Sequence, residues 1–172
     1  MKKIVDNKTL DDILTEVCFS PDHYYNISSS YFSDLYYTGC RSHEPLQIER
    51  WSYKNEKIEL RTMKTNAIRK FDPTRLSNEL LIAIAENRAP YYGLTYQQLT
   101  LEFRKLVRMH PIYAGDRIAD TYLFRYNRAR QMFENTNSIT EVMLFFQWNS
   151  EQICNNYITR PLIYEPFNRL KL

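Results

Sequence analysis

Glycine is scarce in this sequence, with 3 in 172 residues. An architecture of many tight β-turns needs positive-φ positions repeatedly, so a predominantly β protein is disfavoured and the many long side chains point to helices. Cysteine is equally rare: Cys18, Cys40 and Cys154 make an odd number with no Cys-x-x-Cys pair. Neither a disulfide framework nor a thiolate zinc site is suggested, and a reduced cytosolic compartment fits. The histidines His23, His43 and His110 are scattered and read as surface or structural residues rather than metal ligands. The chain has no Gly-x-Ser-x-Gly elbow, phosphate-binding P-loop, Gly-x-Gly-x-x-Gly, His-Glu-x-x-His or EF-hand loop, which removes the common hydrolase, nucleotide-binding and metalloprotease readings. No apolar run approaches membrane length, and the opening MKKIVDNKTLDDIL lacks the apolar centre of a signal peptide, so a soluble protein is expected.

What is present is ordinary for a globular domain. Hydrophobic residues make up 44% and charged residues 25%, and the length suits one domain around one core. The 14 tyrosines are most simply core and groove packing, and carry no functional message by their number alone. Net charge is only +3, but its distribution is uneven. Residues 1–40 hold 3 Lys/Arg against 6 Asp/Glu, residues 41–75 hold 9 against 5, and residues 117–172 hold 7 against 5. Two basic segments separated by a neutral one can converge on a phosphate backbone, which demands clustered Lys and Arg.

Periodicity gives a coarse architecture. Asn7 or Thr9 can cap a first helix with Leu10, Ile13, Leu14 and Val17 on one face. A second is expected over about 25–37, rich in Tyr and Phe, ending at Gly39. The period then changes: Ile48, Trp51 and Tyr53, then Ile58, Leu60 and Thr62, then Ala67, Ile68 and Phe71 read as three short strands with turns at Asn55 and Thr65-Asn66. Pro73 is expected to open a helix with Leu76, Leu80, Leu81 and Ile84 buried. Another follows Thr95, burying Leu99, Phe103, Leu106 and Val107 and ending before Pro111. Asp120 is expected to cap a helix through about 134, Ser138 with Glu141 a capping box, and Asn149 or Ser150 a last helix ending near Tyr157. The expected fold is mainly α with a small three-stranded antiparallel β-sheet (α+β), all in one domain over 1–172.

A set of spacings stands out. The run Thr38-Gly39-Cys40-Arg41-Ser42-His43-Glu44 places an arginine two residues beyond a helix-ending glycine and an acid three further on. Lys64 follows Arg41 by 23 residues and falls in the turn between the second and third strands. Tyr122-Leu123-Phe124-Arg125 opens a helix, Trp148 lies 23 residues beyond Arg125, and Tyr157 nine beyond Trp148. Taken together and in this order, these elements resemble the catalytic domain of the tyrosine recombinase (phage integrase) family, over roughly residues 8–160.

The resemblance implies a DNA strand transferase that cleaves and rejoins DNA through a 3′-phosphotyrosyl intermediate, with Tyr157 as nucleophile. Arg41 and Arg125 would clamp the non-bridging phosphate oxygens with planar guanidinium forks that lysine cannot match. Lys64 would protonate the departing 5′ oxygen. Trp148 would offer its indole N–H to the phosphate, and Glu44 would orient Arg41 or an adjacent backbone group. Tyr122 stands where most of the family carries histidine. A free phenol titrates near pH ~10 and is a poor base near neutrality, although the hairpin telomere resolvases of this superfamily also carry tyrosine there. No cofactor and no metal are implied, because side chains supply both the charge and the proton transfers.

The implied partners are double-stranded DNA and further copies of the chain, four on paired sites, with no membrane and a nucleoid-bound cytoplasmic location. The apolar residues of the 160–172 tail are expected to dock on a neighbouring subunit. The helical core-binding module that usually precedes the catalytic domain is not seen in the sequence. DNA affinity is therefore expected to be modest and strongly salt-dependent. Two alternatives stay open: a catalytically weak or silent DNA-binding relative of the same fold, and an unrelated helical protein.

Overall fold

The computed structural model describes residues 23–109 and 121–159. The helix expected around Leu10 to Val17, the Asp120 cap, Pro111 and the 160–172 tail lie outside the described residues.

Helix α1 (His23–Thr38) stops where expected. Gly39 takes φ +56 and donates its N–H to the Leu35 carbonyl at 2.8 Å, the left-handed turn that closes many helices. Space also demands glycine here, since a Cβ would lie 2.9 Å from Phe146 ring atoms and 3.0 Å from the Arg128 Cβ. Two 3₁₀ turns follow, Glu44–Leu46 and Ile48–Arg50. Ile48, expected in the first strand, belongs to the second of these turns.

Strands β1 (Trp51–Lys54), β2 (Lys57–Arg61) and β3 (Ile68–Phe71) form an antiparallel sheet in the order β1-β2-β3. Asn55 and Glu56 join β1 to β2 with φ of 50° and 59°. Two positive-φ central residues define the hairpin turn whose twist matches the strands it joins. Thr62 and Ala67, expected within strands, lie just past the strand ends, where Thr62 donates its N–H to the Ala67 carbonyl at 2.9 Å. The inward face carries Trp51, Ile58, Leu60 and Phe71. It also carries Arg69, the partner of Leu60, while Ile68, expected with the strand's apolar set, is 38% exposed. Side chains alternate along a strand, so burying Phe71 turns Arg69 inward and Ile68 outward.

Pro73 opens only a 3₁₀ turn (Pro73–Arg75), capped by the Asp72 carboxylate accepting from the Thr74 N–H. Helix α2 (Asn78–Glu86) starts later because Ser77 caps it, accepting from the Leu80 N–H at 3.2 Å. Ser77 is itself held by buried Asp34 of α1, whose carboxylate accepts from the Ser77 N–H (2.7 Å), the Ser77 hydroxyl (2.6 Å) and the Tyr91 hydroxyl (2.7 Å). Burial pushes the Asp34 carboxyl up to about 6, against the pull of those hydrogen bonds. Helix α3 (Tyr96–Met109) buries Leu99 and Phe103; the side chains of Leu106 and Val107 lie outside the described residues.

Helix α4 (Leu123–Thr136) has Tyr122 at its N-cap and ends on Asn137 at φ 49°. Helix α5 (Ile139–Phe146) is capped by Ser138, whose hydroxyl accepts from the Glu141 N–H at 3.2 Å, half of the expected capping box. Helix α6 (Glu151–Ile158) follows Ser150 and ends one residue past Tyr157. The architecture is mainly α with one three-stranded antiparallel sheet, as expected. Among the described residues, no helix is long and apolar enough to cross a membrane.

Helix α4 is the spine, packed against α1 on one side and against α5 and α6 on the other. At the α1 contact, Phe32 stacks on Phe124 with ring centroids 5.9 Å apart and meets Phe103 at 5.4 Å. Each such buried ring contributes about 1.5–3 kcal/mol. A second apolar cluster, Ala129, Val142, Phe146, Cys154 and Ile158, locks α5 and α6 onto α4. Arg125, Trp148 and Tyr157 meet where α4 faces this second cluster.

Candidate active site

Arg125 sits in the first turn of α4 and is buried, 2% exposed. Its Nη1 donates to the Gly39 carbonyl at 2.7 Å, and its guanidinium lies 4.8 Å from the Phe146 ring, 5.3 Å from Trp148 and 5.7 Å from Tyr157. The rings form a continuous stack: Phe146 on Trp148 at 4.4 Å, Trp148 by Tyr157 at 4.5 Å, and Tyr157 on Tyr126 at 4.6 Å. The Tyr157 phenol lies within electrostatic reach of both Tyr122 and the Arg125 guanidinium. Four of the expected site residues, Tyr122, Arg125, Trp148 and Tyr157, therefore meet at one place.

Local structure explains the meeting. Gln147 adopts φ 55° after α5, and the Trp148 N–H returns to the Met143 carbonyl at 2.9 Å, turning the indole back toward α4. At the far end of α6, Arg130 of α4 donates through Nε and Nη2 to the Ile158 carbonyl at 3.2 and 3.0 Å. A guanidinium on the negative end of that short helix fixes Tyr157 beside Arg125.

The loop bearing Arg41 is tied to the same end of α4 on both sides of that residue. On one side the Gly39 carbonyl holds Arg125; on the other, the Thr121 hydroxyl donates to the Ser42 hydroxyl at 2.7 Å. Both ties end at the start of α4, one of them next to Tyr122. Behind Arg41 lies Glu44, fully buried. Its carboxylate accepts from the Arg41 N–H at 2.6 Å and the Met63 N–H at 2.9 Å, with a longer contact of 3.4 Å to the Arg41 guanidinium. Glu44 thus joins the Arg41 loop to the β2–β3 turn. Lys64 is exposed on that turn, one residue from the anchor.

Burial pushes the Tyr157 phenol up to about 12, although the Arg125 charge pulls it down. Burial likewise raises the Cys40 thiol to about 12, leaving it an inert packing group between charged neighbours.

Three side chains that tie the framework together give no sequence signal of that role. Arg69, buried on β3, donates through Nε to the Phe145 carbonyl at 2.8 Å and through Nη2 to the Thr38 carbonyl at 2.5 Å. Burial, then the nearby Arg125 charge, lower it to about 9. Arg130 and Asp34 are the others. All three act on groups distant in sequence, so no spacing reveals them.

No protein-family model matches the sequence, and no curated protein sequence does either. Solved structures do match. The chain superimposes on XerH site-specific recombinase bound to its palindromic difH substrate with a TM-score of 0.67 at 14% identity, covering 91% of this chain and 49% of that one. It superimposes on a lambda integrase dimer bound to a core site with a TM-score of 0.64 at 12% identity, covering 92% and 60%. For the Tn1549 transposon integrase in complex with circular-intermediate DNA the TM-score is 0.60 at 14% identity, covering 97% and 62%. The chain spans about half the length of XerH. Sequence motif, element order and superposition agree that this chain has the catalytic-domain fold of the tyrosine recombinases.

Proposed function

We propose that this chain is the catalytic domain of a site-specific DNA recombinase or integrase that transfers DNA strands through Tyr157. The observation that carries the proposal is the arrangement just described: Arg125 lies against Trp148 and Tyr157, and the loop bearing Arg41 is pinned onto the same end of α4.

In this reading the scissile phosphate enters between Arg41 and Arg125, whose forks neutralise its non-bridging oxygens as negative charge builds in the transition state. The Tyr157 oxygen attacks phosphorus, forming an O–P bond, and the P–O5′ bond breaks. The phenolic proton leaves through Tyr122, whose phenol is electrostatically coupled to that of Tyr157, and on to solvent. Lys64 moves in on its hairpin and protonates the 5′ oxygen. The phosphodiester is conserved as a 3′-phosphotyrosyl ester, so rejoining needs no energy source. Glu44 keeps the Arg41 loop and the Lys64 hairpin in register, and Trp148 closes the floor of the site.

Double-stranded DNA is the proposed substrate. Subunits pair on each site, four in all, exchanging the 160–172 tail, within the cytoplasm on the nucleoid. The test is a pool of nicked duplexes with randomised sequence, in which cleavage releases a short fragment and traps the adduct. A DNA-linked protein band that Tyr157→Phe abolishes supports the proposal; no band from the pool in the intact protein refutes it.

One observation favours a second reading, an attenuated or silent DNA-binding relative. The Tyr157 phenol is pushed up to about 12, and the side chain beside it, Tyr122, is a phenol rather than an imidazole. In that case duplexes bind with the salt dependence of phosphate contacts, and no adduct forms.

A further inference from the structure

Inward positions on a strand facing a core are apolar by default, yet β3 places Arg69 there, opposite Leu60. Withdrawing a guanidinium from water is costly unless its N–H groups are satisfied and its charge is balanced. Here helix ends supply the partners of Nε and Nη2, while Nη1 has none among the described residues. The last carbonyls of a helix lack internal partners and carry the negative pole of its dipole. Helices α1 and α5 end side by side, and neither has a basic residue in its last turn. Arg69 serves both, donating to Thr38 at the end of α1 and to Phe145 near the end of α5.

These attachment points adjoin the two supports of Arg125. The carbonyl after Thr38 is that of Gly39, which accepts from Arg125, and the ring after Phe145 is Phe146, which lies 4.8 Å from both guanidiniums. We infer that Arg69 is a positioning residue of the reaction centre: by tying the end of α1 to the end of α5, it sets the Gly39 carbonyl and the Phe146 ring against which Arg125 aims its guanidinium. The inference rests on the reading of Arg125 as a phosphate clamp. Lysine keeps the charge but has no planar fork to reach two carbonyls in different directions, so charge and geometry separate experimentally.

Arg69→Met and Arg69→Lys are compared with the intact chain in two measurements, with the amide spectrum reporting the fold. The first needs no DNA: the 15N guanidinium resonances of Arg125, expected to be restrained and shifted in the intact chain, move toward those of mobile arginines in both variants. The second is the single-turnover adduct rate on the nicked-duplex pool at saturating DNA. It is expected to fall ~100-fold in Arg69→Met, since displacements of about 1 Å cost that much, and ~10-fold in Arg69→Lys, with DNA binding unchanged. An unmoved Arg125 resonance, or an unchanged adduct rate, in a folded Arg69→Met protein overturns the inference. If that variant does not fold, Arg69→Lys decides in the same way. Failure of both to fold makes Arg69 a folding residue and overturns it as well. An intact chain that yields no adduct refutes the proposed function, while the Arg125 resonance still decides whether Arg69 positions it.

Discussion

Glu44→Gln isolates the joint between the Arg41 loop and the Lys64 hairpin. The carboxylate is fully buried, and its two oxygens have separate tasks: Oε2 accepts from the Arg41 N–H at 2.6 Å, and Oε1 from the Met63 N–H at 2.9 Å. Glutamine has nearly the same shape but only one acceptor oxygen, so in either orientation one backbone N–H faces an NH₂ group. Losing a charge-assisted hydrogen bond costs about 1.5–3 kcal/mol, and a buried donor without a partner about 1–3 kcal/mol. The two overlap, so a net loss of about 2–4 kcal/mol is expected. The 3.4 Å contact to the Arg41 guanidinium adds little, because that side chain is 22% exposed and the geometry is long. Urea unfolding reports the global loss. Amide hydrogen exchange reports its location: protection at Met63 or Arg41 is expected to fall about 30- to 1,000-fold more than at Leu60, since each 1.4 kcal/mol is a factor of ten. A variant as stable as the parent, or one that loses protection uniformly, would show that Glu44 does not join these segments.

Four further outcomes are expected. Gly39→Ala forces a Cβ onto a residue at φ +56 and within 3.0 Å of Phe146 and Arg128, which costs about 2–4 kcal/mol from backbone strain and overpacking; an unchanged urea midpoint contradicts this. Tyr122→His supplies a group that accepts a proton near neutrality, so the adduct rate at pH 7 is expected to rise about 100-fold if the site is only attenuated; in the parent, where burial pushes the Tyr157 phenol up to about 12, the rate is expected to rise about tenfold per pH unit between about pH 7 and 9, and a flat profile removes phenolate formation from the rate. Asp34, raised by burial from 3.8 to about 6, binds its proton more tightly folded than unfolded, so its contribution is complete below about pH 4 and is lost as pH rises through 6. Asp34→Asn is therefore expected to gain stability relative to the parent by up to about 3 kcal/mol between pH 4 and pH 7, and thermal unfolding curves that stay parallel across that range refute the assignment.

The parts of the structure legible in the sequence are those fixed by local chemistry. Gly39 marks the end of α1 because only glycine both adopts its φ and leaves room for Phe146. Asn55 marks a hairpin turn for the same backbone reason. The spacing from Arg125 through Trp148 to Tyr157 was readable because α4, α5 and α6 are consecutive and joined by short turns, so separation along the chain translates into separation in space. In strand β3 the sequence alone does not say which of Ile68 and Arg69 turns inward; burial of Phe71 decides for Arg69. Pro73 looked like a helix start, but Asp34 holds Ser77, 43 residues away, in the capping position. Arg69 and Arg130 were invisible because their partners are backbone carbonyls 76, 31 and 28 residues distant, and a carbonyl leaves no mark in the residue type that bears it.

The assignment of Tyr157 is tested most directly by mapping the attachment point. The covalent complex with nicked duplex DNA is digested with nuclease and protease, and the peptide carrying residual phosphodeoxynucleotide is sequenced by mass spectrometry. The expected result is a modification on Tyr157 joined to a 3′ phosphate; attachment at Tyr122, at Tyr126 or at any other residue, or linkage through a 5′ phosphate, would contradict it.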